Sequence, residues 1–144
     1  MDTGEPKNVF VVGLDAKNRE TLEHVPDAAR LRFHGLLEPE ELQEGEVDIE
    51  ALLDKARAQL DGFDGDIDAI VDYWDFPVSM IVPILTSEYG LPGTSLESVV
   101  KCEHKYWSRL EQSKVISELP RFALVDLEGD ARPRGWSSPC GSSR

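Results

Sequence analysis

The chain has 144 residues, of which 28 are acidic and 15 basic, so its net charge is −13. This charge argues against a nucleic-acid-binding surface, because phosphate contacts need a basic patch. The composition, with 40% hydrophobic residues, suits one ordinary globular core. The longest apolar stretch, residues 76–85, is roughly half the ~20 residues of a membrane span, and the first residues lack the pattern of a secretory signal. We therefore expect a cytoplasmic protein without a membrane or nucleic-acid partner.

Three apolar runs in the first half of the chain predict strands, and a stretch of helical spacing follows each of them. The first run is continuous, which is typical of a strand covered on both faces, whereas the second alternates like a half-exposed edge strand. Asp75 is expected to cap the third helix, and Pro83 to kink it. The predicted strands are residues 8–14, 29–37 and 67–74, and the predicted helices are 16–25, 48–60 and 75–89.

The sequence of the second half predicts a minimal strand or turn at residues 91–93, two short helices and a last strand. Thr94 and Glu97 match the capping-box pattern that begins many helices. The helices are expected at residues 95–102 and 103–114, and the strand at 120–127. Alternating strands and helices at this spacing predict an α/β fold with a parallel sheet of βαβ units. A short helical linker and one further strand would follow that sheet.

Candidate site residues follow the first and third predicted strands. In open α/β sheets, ligands bind at the carboxyl ends of the strands, which is where Gly13, Asp72, Trp74 and Asp75 lie. Carboxylates beside an aromatic ring could orient a polar substrate. The structural alternative is that Gly13 serves only the turn, Asp75 caps a helix and Trp74 packs. No histidine has a His or Cys partner at metal-ligand spacing, so we predict no metal site, and no catalytic residue is assigned.

Residues 91–122 carry the most informative pattern in the chain. Gly93 is followed by Glu97 four residues later, by Lys105 twelve residues later, and then by Pro120-x-Phe122. This pattern resembles the junction before the nucleotide-gripping lobe of the ATP-grasp superfamily, and of biotin carboxylases in particular. There, a Gly-x-x-x-Glu turn and helix lead to a lysine that opens the next helix. With the preceding residues, the resemblance covers most of 8–127.

The resemblance implies a Rossmann-like pre-ATP-grasp domain over residues 1–93, then a linker and the first strand of an incomplete ATP-grasp domain over 94–128. The parent would be an ATP-dependent carboxylate ligase that uses ATP and Mg²⁺ on a small carboxylate substrate. Lys105 would contact nucleotide phosphate, and the residues from Gly13 and 72–75 would form the substrate side. The family's second lysine, Gly-rich loop and Mg²⁺ ligands are not in this chain, so we expect ATP binding to be weak or absent. Because pre-ATP-grasp domains often help to build dimers in this family, the resemblance also implies a homodimer.

The last residues, 129–144, show no helix or strand pattern. If their codons are read one base earlier, they can encode a β run that ends in Lys-Pro, similar to the strand that carries the second ATP lysine in this family. A frame shift is therefore one interpretation of this tail. A native, irregular Ser/Gly tail is the other.

The sequence is also compatible with two further functions. A receiver-like signalling domain would be of similar size and would need an acidic residue after the third strand, such as Asp72 or Asp75, together with an acidic pair after the first. Only Asp15 is present there. A non-catalytic domain that pairs with another subunit is the second alternative.

Overall fold

A computed structural model of the chain describes residues 4–43, 45 and 47–125. Within these residues the fold is α/β and is built on one three-stranded parallel sheet in the order β2-β1-β3. The prediction of a parallel sheet is therefore confirmed. The chain crosses from β1 through a helix to β2, and then back past β1 to β3. The strands are β1 (Lys7–Val12), β2 (Leu31–Leu36) and β3 (Ala69–Val71).

The described residues also form six α-helices, and short 3₁₀ turns precede β2 and the fourth helix. No helix in this part of the chain is long and apolar enough to cross a membrane. The contacts divide the chain into two units, Met1–Val100 and Lys101–Arg144. The helices are α1 (Ala16–Glu23), α2 (Pro39–Gln43), α3 (Ile49–Asp61), α4 (Ile81–Glu88), α5 (Leu96–Glu103) and α6 (Lys105–Gln112).

The core of the first unit forms where α3 and α4 pack on the sheet. The Asp48 side chain accepts a hydrogen bond from Ala51 N (3.1 Å) and so caps α3, and Gly62 ends it, as the spacing predicts. The apolar face of α3 is buried, and each fully buried Leu contributes about 1.5–3 kcal/mol. The core residues from the sheet and the two helices are Phe10, Val12, Leu36, Ile70, Leu52, Leu53, Ala56, Leu60, Ile81 and Leu85.

The three strands differ in how they are covered. Val11 and Val12 point to opposite faces of β1 and both are buried, so the prediction that this strand is covered on both faces is confirmed. β2 lies at the edge of the sheet, as its alternating sequence predicts. Arg19 of α1 reaches this edge and donates to the Phe33 carbonyl oxygen (3.1 Å), which satisfies one of its backbone acceptors.

The segment after β3 departs from the predicted single helix. The chain first forms a 3₁₀ turn, Val78–Met80, and α4 begins only at Ile81. Pro83 therefore lies in the first turn of α4, where no backbone N–H is needed, and it produces no interior kink. Asp75 does not cap this helix, because its Oδ1 accepts instead from the adjacent Phe76 N (2.8 Å).

Two expectations for the later residues are also corrected. Ser95, rather than Thr94, supplies the cap of α5, since its Oγ accepts from Ser98 N (3.2 Å). The strand expected over 120–127 is absent from residues 120–125. These residues pair with no strand in the described chain, and an extended segment needs a hydrogen-bonding neighbour to persist as a strand. The rest of that predicted strand and the tail at 129–144 lie outside the described residues.

Candidate functional site

The carboxyl edge of the sheet is where the sequence places four candidate residues, and the structure brings two of them into direct contact. Gly13 follows β1 with φ +58°, and its N–H donates to the Leu36 carbonyl oxygen (2.8 Å). The Trp74 ring lies over this glycine, and its Nε1 donates to the Val12 carbonyl oxygen (2.9 Å). The tryptophan thereby joins the loop after β3 to the end of β1.

The contact between Gly13 and Trp74 leaves no room for a side chain at position 13. A Cβ atom built on Gly13 would lie 2.4 Å from Leu42 Cδ1 and 2.6 Å from Trp74 Nε1. Glycine is required here both for its left-handed backbone and for the close approach of these two side chains. The structural alternative, that Gly13 serves the turn and Trp74 packs, therefore accounts for both residues.

Asp15 and Tyr73 form a second, polar layer at the same edge. Asp15 caps α1 by accepting from Asn18 N (2.8 Å) and Asn18 Nδ2 (2.7 Å). The Tyr73 hydroxyl lies 3.1 Å from Asp15 Oδ2, accepts from Asp15 N (3.2 Å), and is within hydrogen-bond distance of the Gly13 carbonyl oxygen. Asn18 is not among the predicted site residues, although an Asp directly before a helix, as Asp15 is here, is a recognisable N-cap signal.

These hydrogen bonds determine the ionisation of Asp15. The bonds from Asn18, and a weaker contribution from Tyr73, hold the pKa of Asp15 below its ordinary value. A carboxylate with a lowered pKa stays ionised at neutral pH and supports its helix until the pH falls through that lowered pKa. Asp15 is thus a structural cap whose two oxygens are already engaged by neighbouring groups.

The two remaining candidates at this edge, Asp72 and Asp75, differ in exposure. Asp72 is half-buried, with its Oδ2 atom inside the protein, whereas the side chain of Asp75 is exposed. Tyr73, between them, stays 43% exposed. The groups left to meet a ligand at this edge are therefore acidic or hydroxylic, which favours a polar substrate group over a phosphate.

Lys105 belongs to the second unit and is described with it. It is the first residue of α6, directly after the N-cap residue His104, and its side chain is exposed. Within the described residues, Lys105 makes no ion pair or side-chain hydrogen bond. Its ammonium group is therefore available to an anion, and it stands at the helix end where the backbone N–H groups and the macrodipole also favour negative charge.

In the part of the chain that the structure describes, no group of three or more His, Cys, Asp or Glu side chains is arranged to hold a metal ion. Cys102 is exposed and is not part of a disulfide. Comparison of the chain with models of known protein families found no match, and searches of curated proteins and of solved structures found none either.

Proposed function

We propose that this chain is the amino-terminal region of an ATP-grasp, biotin-carboxylase-like carboxylate ligase. The observation that carries the proposal is the position of Lys105 as the exposed first residue of α6. In the family that the sequence resembles, a lysine begins the helix that follows the Gly-x-x-x-Glu turn. The parallel β2-β1-β3 sheet also supports it, since the resemblance implies a Rossmann-like domain before this linker.

The charge distribution supports a nucleotide contact in the second unit. Residues 1–100 contain 22 acidic and 7 basic residues, a net charge of −15, whereas residues 101–125 contain 3 acidic and 5 basic residues, a net charge of +2. A triphosphate is repelled less around Lys105 than around the acidic first unit, although salt screens that difference beyond about 8 Å. The ammonium group of Lys105 would act as a point charge on a phosphate oxygen.

In the proposed parent, ATP would activate a small carboxylate as an acyl phosphate, which is then transferred to a nucleophile. Lys105 would hold the nucleotide. On the substrate side, Asp75 and Tyr73 are exposed at the carboxyl edge, while Gly13 and Trp74 shape that edge by packing. The described residues offer no ligand set for Mg²⁺, so the proposal assigns its ligands to other parts of the parent.

We expect this chain to bind ATP·Mg²⁺ more weakly than about 1 mM. One charge-assisted hydrogen bond from Lys105 contributes about 1.5–3 kcal/mol, whereas a 1 mM dissociation constant already requires about 4.1 kcal/mol. A titration of isotope-labelled protein followed by amide chemical shifts detects such binding. The shift changes should centre on Lys105 and the first turn of α6, and Mg²⁺ alone provides the blank.

Two substitutions make this titration specific. Lys105→Ala should remove the shift changes, whereas Lys17→Ala should leave them unchanged, because Lys17 is an exposed lysine in the first turn of α1 in the other unit. Shift changes that persist in Lys105→Ala, or that centre on residues of the first unit, would contradict the proposed role. Micromolar affinity would show that this chain alone holds more of the nucleotide site than the proposal allows.

The exposed apolar residues of the second unit favour a second candidate function, a domain that pairs with another copy. The helix that lies wholly within this unit, α6, contains no buried residue. Contiguous exposed apolar patches mark interaction surfaces in soluble proteins, whereas single exposed apolar residues do not. The exposed large apolar residues in 101–125 are Trp107, Leu110, Val115, Ile116, Leu124 and Val125.

This second candidate predicts a concentration-dependent mass. In sedimentation equilibrium, the wild-type chain should move from monomer towards dimer as its concentration rises. The double variant Trp107→Gln/Leu110→Gln should remain monomeric, because both changes put a polar group into the exposed face of α6. Phe76→Gln is the control, since Phe76 is 57% exposed in the first unit and outside this surface. A wild-type chain that stays monomeric at all concentrations would exclude pairing.

A further inference from the structure

A polar cleft of about 450 Å³ opens at the amino end of the sheet, opposite the edge discussed above. The starts of β1 and β2 and the turn before β3 form it. Its volume lies within the range of small-molecule sites. The side chains of Asn8, Arg32, His34, Phe63, Asp64 and Asp66 line it.

The floor of this cleft is a fixed hydrogen-bond network centred on Asn8. The Asn8 side chain bonds His34 Nε2 through its Oδ1 (3.0 Å) and donates from its Nδ2 to the Asp66 carbonyl oxygen (3.0 Å). Asp68 accepts from Asn8 N (2.8 Å) and from Lys7 Nζ (2.7 Å). The charges of Lys7 and Asp68 therefore largely offset each other. These two side chains stabilise the floor of the cleft and are not assigned to ligand binding.

The walls of the cleft, in contrast, carry charges with no partner. Arg32, Asp64 and Asp66 are exposed, and within the described residues their side chains make no ion pair and no hydrogen bond. Glu5 lines the same cleft. The cleft thus presents one guanidinium, which suits a carboxylate, and an excess of carboxylates, which suit ammonium groups.

An aromatic cluster supplies the apolar side of the cleft. The ring of His34 lies 4.9 Å from Phe10 and 4.9 Å from Phe63, centroid to centroid, and Phe10 lies 5.0 Å from Phe63. Burial, together with Arg19 and Arg32, lowers the pKa of His34 and so favours its neutral form, which does not repel an ammonium group. A short methylene chain can pack on the Phe63 ring.

We propose that this cleft binds a small basic amino acid, with its α-carboxylate on Arg32 and its ammonium groups on Asp64 and Asp66. Such a ligand has one negative and two positive charges, which complement Arg32, Asp64 and Asp66, and a methylene chain for the Phe63 ring. A simple anion would meet the acidic excess, and a simple diamine would leave Arg32 unpaired and repelled. The proposal is independent of ATP binding at Lys105.

Calorimetric titration of the full chain with L-lysine and with 1,5-diaminopentane tests the proposal, because the two probes differ only by the α-carboxylate. We expect L-lysine to bind at least tenfold more tightly than the diamine. Arg32→Gln should weaken L-lysine at least tenfold while leaving the diamine unchanged or tighter. Asp66→Asn should weaken both. Arg30→Gln is the matched control, since Arg30 is exposed just before β2 and does not line the cleft.

Thermal unfolding of the same variants separates an effect on stability from an effect on affinity. Arg32→Gln and Asp66→Asn change exposed side chains without partners, so their thermal unfolding midpoints should match the wild-type value. Loss of L-lysine affinity at an unchanged midpoint supports the proposal. No heat with L-lysine, equal affinity for the two probes, or an L-lysine affinity unaffected by Arg32→Gln would each overturn it.

Discussion

Gly13→Ala is expected to lower the free energy of unfolding by about 3 kcal/mol. An L-residue in the left-handed conformation costs about 1–2 kcal/mol, and forcing atoms into a filled site costs a further ~1–3 kcal/mol. The added methyl group would meet Leu42 Cδ1 at 2.4 Å and Trp74 Nε1 at 2.6 Å. The reduced entropy of the unfolded alanine chain offsets only about 0.4–1 kcal/mol. Urea unfolding followed by circular dichroism measures the change.

Gly90→Ala is the matched control for this substitution. Gly90 has a similar φ of +65°, but a Cβ atom built there meets nothing within 4 Å. Its cost should therefore be about 1 kcal/mol, from the backbone conformation alone. The difference between the two variants isolates the packing of Trp74 and Leu42 against Gly13. Equal costs would show that these side chains move aside and that the edge is not tightly packed.

The elements that could be predicted from sequence are those whose causes are local. The spacing of Leu52, Leu53, Ala56 and Leu60 specifies one face of α3, and its cap and its end are each set by one adjacent residue. The edge position of β2 also follows from its own alternation. In each case the pattern and the structure it predicts lie within the same short segment.

The wrong predictions concern features that depend on distant or competing partners. The helix containing Pro83 begins later than predicted because a 3₁₀ turn forms first. The strand expected after Pro120 does not form in residues 120–125, because a strand depends on a neighbour that the local sequence does not specify. The bond from Trp74 to the Val12 carbonyl oxygen joins residues 62 positions apart. No local pattern predicts that contact, although both segments were expected at the same edge.

The residues of the amino-end cleft could not be predicted as a group from local sequence either. Asn8, His34 and Asp66 come from three segments that meet only when β1, β2 and the turn before β3 are in register. His34 could be predicted as a packing residue on its strand, but not as the partner of Asn8. The candidate sites at the two ends of the sheet therefore depend on sheet topology, whereas Lys105 was found from a local motif.

Trp74→Ala is expected to destabilise the first unit by about 3 kcal/mol. Truncating a buried Trp costs about 3–5 kcal/mol, and the half-buried Trp74 belongs at the lower end of that range. The Val12 carbonyl oxygen also loses its indole donor. Trp74→Phe keeps a ring but removes the donor, and should cost about 1 kcal/mol. Trp107→Ala is the control, because Trp107 is 45% exposed on α6, and its cost should stay below about 1 kcal/mol.

The double variant Gly13→Ala/Trp74→Ala tests whether these two residues act as one packed unit. In the double variant, the methyl group at position 13 no longer meets the indole ring, although its contact with Leu42 and its backbone strain remain. We therefore expect the double variant to be more stable than the sum of the single changes by about 1–2 kcal/mol. Simple additivity would show that the strain at Gly13 comes from Leu42 and the backbone alone. In that case the Trp74 side chain could move without a change in the packing of Gly13. The carboxyl edge could then change shape around a substrate.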